Sequence, residues 1–552
     1  MNLDFLLGLF DDWKTWFTFD PENPLLFNSG LFLGLFTVFY IFYVLMRRQF
    51  RLRLLYVVVF SLFFYYKSSG LYFLLLVGTT ILDYFLARLI HKEENPIRKK
   101  TYLILSIISN LGVLAYFKYT NFFIENINYL SGSEFHFKAI ILPVGISFFT
   151  FQSISYIIEI YRKEVKLAET FLDYIFYISF FPQLVAGPIV RAKDFLPQIY
   201  SKIKLTKAEL NEAILLIIGG LLKKAVISDY ISVNFVDRVF DAPNSYSALE
   251  NLLATYGYAI QIYCDFSGYS DMAIGIALLL GYRLPINFDV PYQSASITEF
   301  WRRWHISLST WLKDFLYISV GGNRRGSFGG YLFPSLFFVG AIWWGIYMWE
   351  KSPFPLYIAG GSLLVFLMTI LFVKNSRKAL FTNFNLMTTM LLGGLWHGAS
   401  LRFIVWGALH GLALAFHKLI MTLFPKKENS PKWISKTWKF ISVLITFHFV
   451  CFCWIFFRAN DFSIALEIIN NIAKLEWEPE NWWIIIQAYQ YVLILLLIGF
   501  IWHFTPKKIM QKLEKTYYKL PTFAKAAMIG LVFWLVYATA GSGTQPFIYF
   551  QF

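Results

Sequence analysis

The chain has 552 residues, 57% of them hydrophobic and only 15% charged, against about 25% charged in a soluble protein. This excludes a soluble globular domain and points to a polytopic membrane protein, with length for on the order of a dozen helices of ~20 residues. The formal net charge of +15 would suit a nucleic acid, but the Lys and Arg sit in short loops between apolar runs. There the positive-inside bias and anionic headgroups account for them, so no nucleic-acid partner is expected. Cys264, Cys451 and Cys453 are the only cysteines, too few for a disulfide framework. No zinc spacing, nucleotide-binding glycine loop or internal repeat is visible, so no metal is expected.

Residues 1–27 are broken by Asp11, Asp12 and Lys14 and lack a basic leader, so they read as an amphipathic segment on the membrane surface. Transmembrane helices are expected over 28–118. The first, at about 28–46, ends at Arg47, Arg48, Arg51 and Arg53. That basic loop should be cytoplasmic, which sets the N-terminus outside. Spans at 54–66 and 71–90 form a hairpin around Ser68-Ser69-Gly70, a span at 101–118 follows, and 119–138 read as an external loop. A core is expected over 119–457. Within it a span at 139–161 precedes 171–190, where Pro182, Gly187 and Pro188 interrupt a simple crossing and imply a re-entrant element. Apolar helices follow at 211–228 and 248–263. Asp265 and Asp271 then stand at the head of another apolar helix. Intramembrane carboxylates are expensive and often functional; capping of the helix N-terminus is the other account.

Residues 296–322, SITEFWRRWHISLSTWLKDFLYISVGG, read as one amphipathic helix with a capping box at Ser296 and Glu299 and a stop at Gly321-Gly322. Trp301, Trp304, Leu308, Trp311 and Phe315 share one face; Arg302, His305 and Ser309 share another. The stretch is either an interfacial helix or the wall of a polar cavity. Two spans follow at 331–349 and 356–374, then LLGGLWHGAS, then spans at 402–423, 437–457, 483–504 and 524–541. Residues 458–552 form C-terminal helices and an uncharged aromatic tail, PFIYFQF.

Among 8 histidines, His91, His136, His417, His448 and His503 fit solvent, interface or hydrogen-bonding positions, and His410 is a weak supporting candidate. His397 lies at LWHG between Gly393-Gly394 and Gly398. Glycines permit close approach, and an apolar setting disfavours the charged imidazole, as a general base requires. No serine elbow or Cys-His nucleophile is evident. The chemistry expected is direct: a base removes a hydroxyl proton and the oxygen attacks an activated acyl group.

The blocks ILPVGISFFTFQSISYIIEIYR, FFPQLVAGPIVR, YCDFSGYSDMAIG, the 296–322 stretch, LLGGLWHGAS and PFIYFQF occur in order from about 139 to the C-terminus. In these the chain resembles the membrane-bound O-acyltransferase (MBOAT) family, most of all the bacterial subgroup typified by the membrane subunit of alginate O-acetylation. The resemblance implies an all-α polytopic fold, a ring of tilted helices with re-entrant segments around a central tunnel. It implies that His397 is catalytic and that His305 lines the same tunnel. Trp304, Trp396, Arg302, Arg303, Ser309, Asp265 and Asp271 would line or support it. The basic residues Arg191, Lys193, Lys202, Lys204, Lys223 and Lys224 would suit donor phosphates, although ordinary positive-inside charge is the simpler account.

The implied activity moves an acyl group, expected to be acetyl, from a cytoplasmic donor to a hydroxyl for O-acetylation of an exported or cell-surface polysaccharide such as alginate. The donor would be acetyl-CoA or an acyl-carrier thioester acting as substrate, with no tightly bound cofactor. An extracytoplasmic SGNH-type acetyltransferase or a glycan-synthesis complex is the implied partner, in a bacterial cytoplasmic membrane. D-alanyl transfer to teichoic acid is the alternative within this class. A transporter or flippase is the alternative outside it. The chain departs from the subgroup at 327–385, where two apolar spans replace a short connection.

Overall fold

The computed structural model describes residues 16–21, 24–132, 135, 140–201, 204–347, 354–373, 375–424, 432–474, 479–540 and 547–548. The expectations for the N-terminal surface segment through residue 15, and for His136 and Lys202, lie outside these residues. Among the described residues all regular structure is helical. In chain order the helices are α1 (Gly30–Leu45), α2 (Phe50–Ser69), α3 (Phe73–Lys92), α4 (Pro96–Ser131), α5 (Ile146–Tyr161), α6 (Phe171–Ser179), α7 (Ala192–Ile199), α8 (Lys207–Leu221) and α9 (Ala248–Leu279). They continue with α10 (Ile297–Arg303), α11 (Ile306–Trp311), α12 (Phe328–Tyr347), α13 (Phe354–Phe372), α14 (Ser376–His397), α15 (Leu401–Leu423) and α16 (Lys432–Arg458). The last are α17 (Phe462–Ala473), α18 (Trp482–Ala488), α19 (Gln490–Phe504), α20 (Lys507–Lys519) and α21 (Thr522–Ala540).

Six described helices are long and apolar enough to cross a membrane, or seven if α18 and α19, bent by 86° at their junction, form one broken span. The chain is therefore an all-α polytopic membrane protein, with fewer spanning helices among the described residues than its length alone allows. One reason is α5. It was expected as a crossing, but it has only 16 residues and is buried on nearly every side, the pattern of a helix inside a protein core.

Three more expectations are corrected. Helix α4 runs through 119–131, the expected external loop. No Gly or Pro occurs there to stop it, and it ends at Gly132 in the left-handed region (φ 65°). Second, α9 is one continuous helix of 32 residues, so Asp265 and Asp271 lie in its interior and cap nothing. Third, 171–190 folds as α6, opened by a Thr170–Asp173 capping box, and a four-residue helix, Phe181–Leu184, with Pro182 in its first turn. The interruption is buried from Asp173 to Val190, where a broken backbone is tolerated.

The chain divides into two compact units. One comprises Met1–Val226, Cys264–Ile286 and Glu514–Gln551; the other comprises Ile227–Tyr263 and Asn287–Leu513, together with Phe552. In the second unit α14 and α15 pack backbone to backbone. A Cβ on Gly394 would sit 2.2 Å from the Phe403 carbonyl oxygen, and one on Gly407 2.3 Å from that of Met390. Met387, Leu391 and Ala408 form the buried seam, with Phe337 of α12 against it. Thr388 donates to Gly330 O (3.0 Å), and Phe366 of α13 stacks on Phe384 at 4.6 Å. The two extra helices of 327–385 thus buttress α14, the helix that ends at His397.

Candidate active site: two histidines on one tryptophan

His397 is the last residue of α14 and is 3% exposed. Its ring is walled by Trp396, Trp406 and Phe457, with centroids at 4.9, 5.0 and 5.2 Å. The glycines around it serve helix packing, whereas the sequence had suggested room for a ligand. A Cβ on Gly398 would lie 2.1 Å from the Phe403 ring, and Gly394 is in the α14–α15 seam. Small residues here bring α15 close enough for Trp406 to face the imidazole.

His305 is fully buried, at 0% exposure. The expected single helix over 296–322 breaks at this residue. Helix α10 ends at Arg303, Trp304 is extended, and His305 sits in the left-handed region (φ 43°, ψ 55°) before α11 begins. A non-glycine residue there costs ~1–3 kcal/mol and persists only where its surroundings hold it. Asn287 does so from two sides. Its carbonyl accepts from Ile306 N (2.9 Å), and its Oδ1 accepts from Ser307 N (3.2 Å) and Ser307 Oγ (2.9 Å) while lying 3.1 Å from His305 Nδ1.

A backbone N–H can only donate, so the amide atom facing Ser307 N is the oxygen. That oxygen can only accept, so His305 Nδ1 carries the proton and Nε2 carries the lone pair. His305 lies outside the candidate spans, and burial pushes its pKa down to about 3. It is a neutral imidazole of fixed tautomer.

Trp396 joins the two histidines. Its ring centroid is 4.9 Å from that of His397 and 6.2 Å from that of His305, both within aromatic contact. Trp304, at 1% exposure, packs on Trp454 at 5.0 Å, and Trp454 stacks on Trp406 at 6.0 Å. His410 enters the same cluster. It accepts from Trp301 Nε1 at Nδ1 (3.3 Å) and lies 4.7 Å from Trp406.

The expected polar face does not hold together. Arg302 is exposed while His305 is buried, because the break at Trp304-His305 rotates the two apart. Arg303 pairs with Glu299 at 2.7 Å and donates to Asp289 O at 3.4 Å. Ser309 is spent on Trp304 O at 3.1 Å. The capping box is also only half made: Ser296 Oγ accepts from Glu299 N (3.2 Å), but the Glu299 carboxylate takes Ala295 N (2.9 Å). The apolar face is as expected, with Trp304, Leu308, Trp311 and Phe315 buried.

The remaining expected residues belong to the first unit. Lys224 pairs with Asp265 at 2.6 Å, with side-chain exposures of 1% and 4%, and Lys223 pairs with Asp271 at 2.6 Å. Contact of α8 with α9 makes this register: a Cβ on Gly268 would be 2.7 Å from the Gly220 carbonyl oxygen. Asp265 also accepts from Ile548 N at 3.0 Å, tying the C-terminal tail to α9. Lys224 is therefore a buried cation already paired with Asp265. Arg191 binds Glu159 at 3.3 Å, and Lys193 is exposed.

Two contributors escape sequence reasoning. Asn287 sits in an irregular segment 18 residues before His305, where neither periodicity nor a motif marks it. Arg402 donates to Phe457 O (3.0 Å) and to Ala459 O, holding the C-terminal end of α16 so that Phe457 faces His397. As an isolated cation opening an apolar run it carried a weak signal.

Comparison with known proteins gives this arrangement its context. The profile of the membrane-bound O-acyltransferase family matches residues 169–377. The chain is 35% identical to a peptidoglycan O-acetyltransferase of Helicobacter pylori over 82% of this chain and 80% of that protein. It is 36% identical to a probable alginate O-acetylase of Pseudomonas aeruginosa over 80% of this chain and 73% of that one. Similarity to a teichoic acid D-alanyltransferase of Bacillus subtilis is lower, 29% over 58% of this chain and 69% of the relative. The paired histidines thus lie in an acyltransferase, and the chain belongs to the membrane-bound O-acyltransferase family.

Proposed function

We propose that this chain transfers an acetyl group to a hydroxyl for O-acetylation of an exported or cell-surface polysaccharide, with His397 as general base. The observation that supports the base assignment is the meeting of His397 and His305 on Trp396, inside a wall of aromatic rings. Such a wall keeps water from the imidazole, whose lone pair can take the acceptor proton.

The reaction is written as a direct transfer. His397 takes the proton of the acceptor O–H as the oxygen attacks the acyl carbonyl. The tetrahedral intermediate collapses with cleavage of the thioester C–S bond, and the imidazolium returns its proton to the departing sulfur. His305 has no proton at Nε2 to offer a carbonyl oxygen, so its role is to accept and relay a proton and not to polarise the acyl group. Acetyl-CoA or an acyl-carrier thioester supplies the acyl group as a substrate. Arg191 and Lys193 remain the candidates on the first unit for contact with an anionic donor.

Acetyl transfer is preferred to D-alanyl transfer because the two O-acetylating relatives match more of the chain at higher identity. We further infer residence in the cytoplasmic membrane of a bacterium with the N-terminus outside, from the basic loops after α1 and α3. An extracytoplasmic SGNH-type acetyltransferase or glycan-synthesis complex would receive or use the acyl group. The test is isotope-labelled acetyl-CoA supplied to inverted membrane vesicles containing the chain and its native glycan. Base-labile acetyl ester on extracytoplasmic material is expected. Label that crosses without forming an ester would favour a transporter, and D-alanyl ester from a charged carrier protein would favour the teichoic acid reading.

A further inference from the structure

We propose that the groove between α16 and α19 is a binding site for one anionic phospholipid. It rests on the chain's being membrane-embedded and not on the acyl-transfer reading. Its volume is about 600 Å³, and none of His305, Trp396 and His397 lines it.

The walls follow from helix periodicity. On α16, Phe440, Val443 and Phe447 face the groove, at spacings of three and four; on α19, Phe500 and Phe504 do so one turn apart. Phe447 meets Phe500 edge-on at 5.9 Å and Tyr256 at 5.8 Å, which closes the floor. Both helices belong to candidate membrane spans, Ser435–Arg458 and the broken span ending at Phe504. An apolar groove at that depth is filled by an acyl chain and not by water. Two of the polar groups along it are already engaged: His448 Nδ1 donates to Leu444 O (2.8 Å) and Gln293 Nε2 to His503 O (2.7 Å).

One end of the groove carries charge. Lys436 and Lys439 line it, both exposed, within the first turns of the α16 span. This is where a lysine stem runs along apolar surface while its ammonium reaches the headgroup level. Phe504 lines the groove at the end of α19, and α20 opens soon after with Lys508 and with Lys507, which pairs with Asp289 at 2.8 Å. Two ammoniums above an apolar slot match one phosphate above an acyl chain. A neutral zwitterionic lipid would fill the slot equally well but would gain less at the lysines.

The experiment uses the full chain, purified in mild detergent, stripped of lipid and offered equal phosphatidylglycerol and phosphatidylcholine of matched chains. Native mass spectrometry counts what is retained. One phosphatidylglycerol is expected, favoured roughly thirtyfold over phosphatidylcholine by the two lysines. Inorganic phosphate should not displace it. Lys436→Gln with Lys439→Gln should bring the preference to near parity, and arginine at both positions should keep it. Val443→Trp, which fills the slot, should reduce retention of both lipids. A preference that survives in the double glutamine variant, displacement by inorganic phosphate alone, or full retention in Val443→Trp would each overturn the proposal. So would equal retention of the two lipids by the wild-type chain.

Discussion

Two clusters in this apolar chain bury polar groups by opposite means. In the first, where the chain leaving α8 meets α9, charge is answered by charge: Lys224 with Asp265 and Lys223 with Asp271. In the second, His305, His397 and His410 are buried among aromatic rings, with an amide or an indole setting the tautomer of two of them. Paired charges hold a structure together, since separating them leaves an uncompensated ion in low dielectric. Imidazoles set among rings carry a lone pair that can take up a proton. The difference separates a paired framework from a candidate site. The lesson for sequence reading is that a buried charge with a partner in reach is a weaker candidate for chemistry than a buried histidine whose surroundings are rings.

The comparison breaks most directly at the buried pair. Lys224→Met should cost about 3–5 kcal/mol of stability by stranding Asp265, while the double change with Asp265→Leu should recover most of it. Thermal melting in detergent reads both. If Lys224→Met melts normally and loses only donor affinity, the lysine belongs to a site and the contrast fails. Next in size is Gly394→Ala. The added methyl has the Phe403 carbonyl oxygen 2.2 Å away, so overpacking of α14 on α15 should cost about 1–3 kcal/mol. Activity should fall along with the melting temperature.

Asn287→Ala sharpens the other half. It frees His305 to change tautomer and leaves Ser307 N without its acceptor. A fall in kcat of about 10- to 100-fold with little change in KM is expected, since a proton-transfer geometry is lost and not a binding contact. A melting shift with unchanged kcat would make Asn287 merely structural. A further effect is on pH dependence. The unfolded imidazole titrates near 6.5, and the folded one only at about 3. Between these values the unfolded chain binds a proton that the folded chain refuses. Stability is therefore intact above 6.5 and falls as pH falls toward 3, by up to ~1.4 kcal/mol per unit. His305→Gln should flatten that acid slope in melting curves from pH 7 to 4.

Much of the fold was legible because membrane helices announce themselves by length and hydropathy. The Trp304–Leu308–Trp311–Phe315 face was legible because helical periodicity survives the break at His305. The break itself was not, because it is imposed by Asn287, a tertiary neighbour with no local signal. Asp265 and Asp271 were noticed as unusual but misread as the head of a helix, since their partners lie more than 40 residues away, just past the end of α8. The glycines beside His397 were noticed for the wrong reason. A close approach is required there, but the approaching group is α15.

The most direct test of the central claim is single-turnover acyl transfer by the purified full chain, comparing wild type with His397→Ala. A loss of about a thousandfold or more with an unchanged melting temperature is predicted, as expected for removal of a positioned general base. Transfer within tenfold of wild type in a folded His397→Ala protein would contradict the account.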